Sequence, residues 1–137
     1  MTSYISAGLR NLTRKRAGLR CEYCLRSEAD STFPHQPDHI IAEKHGGLTD
    51  ADNLALACAI CNSLKGSDIA SIDQDSGTIV RLFHPRRDRW SDHFRLEEGR
   101  IVPITSIGGA TEYLLQFNRG DLVGLRRLLI RQGRYPG

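Results

Sequence analysis

The first seventy residues predict a helix, two short strands and a second helix. Ser6–Gly18 has Leu9 and Leu12 at helical spacing, and Ser6 is suited to cap the start. Two prolines exclude helix from residues 27–37. An extended segment then leads into Asp38-His39-Ile40-Ile41, and the short apolar run Leu54–Ala57 predicts a strand returning beside it. Residues 43–52 form a loop turned at Gly46-Gly47, and residues 62–70 suit a short helix.

The second half of the chain changes in character after Ser71. Residues 78–83, which follow a turn at 75–77, and residues 100–104 predict strands. Residues 111–117 and 121–132 predict helices, with Asp121 as the N-cap of the last one. That helix has an apolar stripe with arginines opposite; the stripe is Leu122, Leu125, Leu128 and Leu129, and the arginines are Arg126, Arg127 and Arg131.

The length of 137 residues suits one domain with a modest core, so we expect a single domain over residues 1–137. Hydrophobic residues make up 39% of the chain, which is a little low for a domain held together by packing alone. A structural metal would therefore help to stabilise the fold. No apolar run is long enough to span a membrane, and the N-terminal residues have no apolar segment of the secretory type. We therefore expect a cytoplasmic protein with no membrane partner, in a compartment where disulfides are disfavoured.

Charge is distributed unevenly along the chain. Residues 27–75 contain nine Asp or Glu and two Lys, whereas the remaining residues contain seven Asp or Glu and seventeen Lys or Arg. An acidic centre can attract a divalent cation, and basic flanks can bind phosphates. The alternative is an ordinary solvated surface that carries charges of both signs.

The four cysteines occur as two Cys-x-x-Cys pairs, at Cys21 and Cys24 and at Cys58 and Cys61. Two thiolates at this spacing reach one tetrahedral ion, and two pairs complete a closed structural zinc site. Redox pairs and disulfides are the alternatives, and the paired spacing without a secretory signal favours zinc over both. Zinc binding would close the intervening residues into a loop and fix Asn62, which directly follows the last cysteine.

Asp38, His39 and Asn62 together supply the groups that phosphodiester hydrolysis requires. A neutral histidine can accept a proton from water near neutral pH. Carboxylate and amide oxygens suit Mg²⁺, which stabilises charge on a phosphate. Neighbours in a strand point to opposite sides, so Asp38 can hold the metal while His39 faces the water. We expect a backbone carbonyl of the loop to orient the imidazole, with Asn53 holding that loop in place.

These motifs resemble the HNH endonuclease family over about residues 20–70. The resemblance rests on Cys21-x-x-Cys24, Asp38-His39-Ile40-Ile41, Gly46-Gly47, Asp52-Asn53-Leu54 and Cys58-x-x-Cys61-Asn62-x-x-Lys65-Gly66. It implies that His39 is the general base, that Asn53 supports the loop of the base, and that Asp38 and Asn62 bind the catalytic Mg²⁺ or Mn²⁺. Asn62 stands where the family usually has a histidine, and this change favours a hard metal that prefers oxygen.

The fold class that follows is α+β. We expect a ββα-metal (His-Me finger) core at about residues 20–70, clipped by the four-cysteine zinc site. An N-terminal helix precedes this core, and a basic extension of strands and helices follows it at about residues 71–137. The metals expected are a structural Zn²⁺ and a catalytic Mg²⁺ or Mn²⁺.

The resulting functional prediction is a metal-dependent endonuclease that hydrolyses DNA. A zinc-stabilised nucleic-acid-binding module without cleavage and an RNA-directed nuclease remain as alternatives. Both a monomer and a homodimer are compatible with the sequence. The cations expected to contact phosphate are Lys65, Arg86, Arg87 and Arg89. His35 and His45 are expected in solvated loops, and Trp90 and Phe94 in the core.

Overall fold

The computed structural model describes residues 4–136. Within that range the chain forms five α-helices and six short strands, which pair into three two-stranded antiparallel sheets. This confirms the predicted α+β class. Backbone contacts divide the chain into two compact units, one ending at Ile69 and one starting at Ala70. That residues 1–137 form a single domain stays a prediction.

The first unit begins with helix α1, Ala7–Arg16, which lies inside the predicted range. Ser6 caps it as expected, since its hydroxyl accepts a hydrogen bond from the Leu9 amide at 3.2 Å. The residue that α1 buries is Thr13, whereas Leu12 is 44% exposed. The apolar spacing therefore located the helix but did not identify its buried face.

Two arginines of α1 bind other parts of the first unit. Arg14 forms a bidentate ion pair with Glu28 at 2.9 Å and donates to the His35 carbonyl. Arg16 donates to the carbonyls of Ala51 and Leu54. These contacts join α1 to the following loop and strand, so both guanidinium groups serve the fold in this structure.

A ββα arrangement completes the first unit. Strand β1, Gln36–His39, pairs antiparallel with strand β2, Leu54–Ala57, so that Asp38 lies opposite Ala55 and His39 opposite Leu54. Helix α2, Ala59–Lys65, follows β2. The predicted order of strand, loop, strand and helix is confirmed, and β2 has the predicted bounds.

The predicted position of α2 was wrong by several residues at each end. The helix begins earlier because Cys58 is its N-cap, with Sγ accepting from the Cys61 amide at 3.4 Å. It ends at Lys65 because Gly66 has φ +51°. Ala70, the last residue of the predicted helix, instead begins a strand.

The second unit begins with a hairpin of β3, Ala70–Asp73, and β4, Thr78–Arg81. A short helix, α3 (Trp90–His93), leads into a second hairpin of β5, Phe94–Glu97, and β6, Arg100–Pro103. Helices α4, Ser106–Leu115, and α5, Gly120–Arg131, complete the unit. Strands β3 and β5 were not predicted. Helix α4 begins earlier than predicted because the Thr105 hydroxyl caps it at the Gly108 amide.

Aromatic packing forms the core of the second unit. Phe94 is buried and lies 5.0 Å from the ring of Trp90 and 5.7 Å from that of Phe117, measured between ring centroids. Trp90 itself is only half-buried. Phe94 therefore lies in the core as expected, whereas Trp90 meets that expectation only in part, because some of its indole stays at the surface.

Two expectations for α5 were wrong. Arg126 is buried, not solvated, because its guanidinium donates to the carbonyls of Gly99 and Phe117. Asp121 lies in the first turn, whereas Arg119 occupies the N-cap position and forms an exposed ion pair with Asp121 at 2.7 Å. Leu129 is buried and Leu128 is 46% exposed, so the leucine stripe is only partly covered.

Candidate functional site

The two cysteine pairs converge in the first unit. Cys21, Cys24, Cys58 and Cys61 are all buried, and their sulfur atoms lie within 4.8 Å of one another. The sulfur atoms of Cys24 and Cys58 are 3.8 Å apart. A tetrahedral zinc ion with Zn–S bonds of ~2.3 Å places its sulfur ligands about 3.8 Å apart, whereas a disulfide requires about 2.05 Å. The four sulfurs therefore fit a closed zinc site, as predicted.

Backbone amides shape each half of this cluster. The Cys24 amide donates to Cys21 Sγ at 3.5 Å, which parallels the contact from the Cys61 amide to Cys58 Sγ. Hydrogen bonds from the other three cysteines hold the pKa of Cys58 far below its usual range, and burial raises the pKa of Cys21. Such amide donors and a helix N-terminus favour the thiolate, which is the form that binds zinc.

The first cysteine pair is fastened to β2. The Glu22 amide donates to the Leu56 carbonyl at 2.8 Å, and the Leu56 amide donates to the Glu22 carboxylate at 2.9 Å. The second pair follows β2 directly along the chain. The cluster therefore connects both pairs to the strand that pairs with β1, which carries Asp38 and His39.

Asp38, His39 and Asn62 line one cleft of about 370 Å³. Asp38 and His39 reach it from the end of β1, and Asn62 reaches it from the middle of α2. The other lining residues come from the loop after β1 and from the end of α2, and they include Glu43 and Lys44. The structure thus brings together the three residues that the sequence proposed for metal and base. Asn53 does not line this cleft.

His39 is 6% exposed, and its imidazole is fixed by a side chain. The Nε2 atom lies 2.8 Å from the Thr49 hydroxyl oxygen. We expected a backbone carbonyl to orient the ring, and a threonine hydroxyl takes that place. No pattern in the sequence points to Thr49, which lies ten residues from His39 along the chain.

Asn53 makes side-chain hydrogen bonds across the loop between β1 and β2, and its expected role in supporting the base stays a prediction. Its side chain exchanges two hydrogen bonds with the backbone of Ile41, each at 2.9 Å, and also donates to the Leu48 carbonyl at 2.8 Å. A glycine is needed beside it, because a Cβ on Gly47 would lie 1.7 Å from the Ile41 carbonyl oxygen. Leu48 directly precedes Thr49, so Asn53 fixes the segment that contacts His39.

Lys65 is buried beside Asp38. Its side chain is 2% exposed, and the ammonium lies 3.3 Å from Asp38 Oδ2 and 3.0 Å from the His39 carbonyl oxygen. Burial raises the pKa of Asp38, and the charge of Lys65 opposes that shift. The ammonium that was expected to contact phosphate is thus buried in the first unit, where it contacts Asp38 and the backbone of His39.

Replacing Lys65 with methionine should lower the free energy of unfolding by about 3 kcal/mol, because Asp38 would keep its burial and lose its counterion. Urea unfolding followed by circular dichroism measures this change. Lys44→Met is the matched control, since Lys44 is exposed at the rim of the same cleft, and we expect it to change stability by less than about 0.5 kcal/mol. Unchanged stability of Lys65→Met together with weakened DNA binding would instead support the phosphate contact.

The remaining basic candidates lie in the second unit. Arg86 is half-buried, and Arg87 and Arg89 are exposed in the turn before α3. Of the two histidines expected in solvated loops, His45 is exposed. His35 is buried, with Nε2 2.9 Å from the Arg26 carbonyl oxygen, so that expectation was wrong for His35.

Comparison with known families gives one match. Residues 21–68 match the family model for the HNH endonuclease, which is close to the core of about residues 20–70 expected from the motifs. No curated protein and no solved structure matches the chain significantly. Among the described residues, no helix is long and apolar enough to cross a membrane.

Proposed function

We propose that this chain, whose residues 21–68 form an HNH endonuclease domain of the ββα-metal fold, is a metal-dependent endonuclease that hydrolyses DNA phosphodiester bonds. An HNH domain indicates a nuclease or nucleic-acid-binding role and implies divalent-metal catalysis. The four-cysteine cluster indicates a structural zinc site. The observation that carries the proposal of cleavage is that Asp38, His39 and Asn62 line one cleft within that domain.

In this proposal Asp38 and Asn62 hold one Mg²⁺ or Mn²⁺. The donor set fits such an ion, because a carboxylate and an amide carbonyl are hard oxygen ligands and the cleft leaves room for water and phosphate. When bound, the ion would stabilise negative charge on the phosphate and on the leaving oxygen. Lys65 would keep Asp38 in place through Oδ2, which leaves Oδ1 for the cleft.

His39 acts as the general base and removes a proton from the attacking water. His39 is nearly buried, its ring is held at Nε2, and the residue lines the cleft. General-base catalysis of this kind requires a fixed nitrogen within hydrogen-bonding reach of the water. Asn53 supports the base indirectly, because it fixes the loop that contacts the imidazole.

Basic side chains outside the metal pair would bind the DNA backbone. We propose Arg86, Arg87 and Arg89 for this role, since the last two are exposed guanidinium groups on one turn. For Lys65 the contacts with Asp38 and His39 favour a supporting role over a phosphate contact. Lys44 is the exposed cation that lines the cleft itself.

A plasmid-nicking assay with and without divalent metal tests the proposed activity. Zinc-loaded protein should convert supercoiled DNA to nicked circles in Mg²⁺ or Mn²⁺, and EDTA should reduce the rate at least about a hundredfold because phosphate charge would lose its stabilisation. Restoring excess Mg²⁺ should recover the rate. Zinc content measured before and after EDTA shows whether the structural site survived the treatment.

The same assay separates the two alternatives. Binding of DNA without cutting in any metal would support a zinc-stabilised binding module. Cutting of an RNA strand but not of a DNA strand of the same sequence would support an RNA-directed nuclease. Cutting that persists in EDTA at an unchanged rate would contradict a metal-dependent mechanism.

A further inference from the structure

The imidazole of His39, a residue that lines the cleft, contacts the hydroxyl of Thr49. The hydroxyl oxygen lies 2.8 Å from Nε2, within the range of a strong hydrogen bond. Among residues 4–136, Nδ1 of His39 has no hydrogen-bond partner. One nitrogen of the imidazole is therefore engaged with the protein, and the other remains for a ligand in the cleft.

Hydrogen bonds from Asn53 fix the loop that carries Thr49. The carbonyl of the preceding residue, Leu48, accepts a hydrogen bond from Asn53, and the same amide group contacts Ile41 on the other side of the loop. Gly47 allows this close approach. Asn53 is only 9% exposed, so these contacts are sheltered from water. The position of the threonine hydroxyl is thus set by the same asparagine that closes the loop.

We propose that Thr49 is a positioning residue for catalysis, which accepts a hydrogen bond from Nε2–H of His39 and thereby holds the lone pair of Nδ1 towards the cleft. The expected effect on the cleavage rate rests on the proposed nuclease function, whereas the expected tautomer of the ring does not. The partner of one ring nitrogen determines which tautomer a histidine adopts, and a base requires the tautomer whose free nitrogen faces the water. Thr49 would also limit rotation of the ring.

A side-chain partner makes this role testable, because mutation can remove a hydroxyl but cannot remove a backbone carbonyl. Thr49→Val removes the hydroxyl and keeps the β-branched shape. Thr49→Ser keeps the hydroxyl and removes one methyl group. Thr32→Val is the matched control, since Thr32 is an exposed threonine of the same unit that does not line the cleft.

The first measurement examines the ring directly and needs no catalysis. Long-range proton–nitrogen NMR spectra of zinc-loaded, magnesium-free protein should show His39 as the Nε2–H tautomer in the wild type and in Thr49→Ser. His39→Ala identifies the signals among the five histidines. Thr49→Val should show a mixture of tautomers. A wild-type Nδ1–H tautomer, or a Thr49→Val spectrum identical to that of the wild type, would overturn the assignment.

The second measurement examines the rate of the chemical step. Single-turnover nicking in saturating Mg²⁺ should be about tenfold slower in Thr49→Val. We expect a loss smaller than the full contribution of a general base, because His39 itself remains. Thr49→Ser should stay within about twofold of the wild type, and binding of DNA should be equal in all variants. Unchanged nicking by Thr49→Val would overturn the role in catalysis. If no variant cuts DNA but the spectra change as expected, the nuclease function fails while Thr49 still orients the ring.

Discussion

Replacing His39 with alanine should slow DNA nicking by about a thousandfold while the protein stays folded and binds DNA. General acid–base catalysis contributes roughly 10²–10⁴-fold, and His39 is the histidine that lines the cleft with Asp38 and Asn62. Alanine leaves Asp38, Asn62 and the zinc cluster in place. The loss should therefore appear in the cleavage rate and not in the dissociation constant for DNA.

His45→Ala is the matched control for this experiment. His45 lies in the loop that follows β1, it is exposed, and it does not line the cleft. We expect His45→Ala to cut at the wild-type rate. Zinc content and circular dichroism should be the same for both variants. Persistent nicking by His39→Ala at a rate within tenfold of the wild type would contradict the assignment of the base.

The sequence predicted those parts of the fold that local spacing determines. A two-residue gap between cysteines fixes the geometry of a metal knuckle, so the cluster was predictable from the positions of four residues. Strand β2 was predictable because four consecutive apolar residues between turn signals suit a buried strand. The asparagine in the loop was predictable because such a residue commonly fixes a turn through its side chain.

Other features depend on contacts between distant residues and could not be predicted in this way. Lys65 was expected to contact phosphate, and Arg126 was placed opposite the apolar stripe of the last helix, since charged side chains are seldom fully buried. Both are buried because the fold supplies acceptors for them: Asp38 and the His39 carbonyl for Lys65, and backbone carbonyls for Arg126. Periodicity does not reveal such acceptors.

The same reasoning explains why Thr49 was missed. A threonine in a loop carries no distinctive pattern, and its relevance arises only when the loop folds back on β1. We expected a backbone carbonyl beside the imidazole, and the structure has a side-chain hydroxyl there instead. Which group reaches the imidazole depends on how the loop held by Asn53 folds, and local sequence patterns do not show this.

Replacing Cys58 with serine should abolish zinc binding and unfold the first unit. Structural zinc contributes about 10 kcal/mol or more to folding, whereas domains of this size are stable by only about 5–15 kcal/mol in total. Cys58 is one of the four clustered cysteines and caps α2 through Sγ, and serine is similar in size and offers a hydroxyl oxygen as the cap. The substitution therefore removes the metal ligand with little loss of packing.

Zinc content by mass spectrometry and amide exchange in β2 measure this effect together. The wild type should carry about one zinc per chain and protect the amides of β2, and Cys58→Ser should lose both. Ala59→Ser is the control, because it places a serine at the exposed neighbouring position and leaves all four sulfurs intact. A packing defect could also unfold Cys58→Ser, so removal of zinc from the wild type is a second test. The wild type should unfold when zinc is chelated in reducing buffer, and it should refold when zinc is returned. A zinc-free, reduced wild type with protected β2 amides would show that packing alone holds the unit, and the cysteines would then need another explanation.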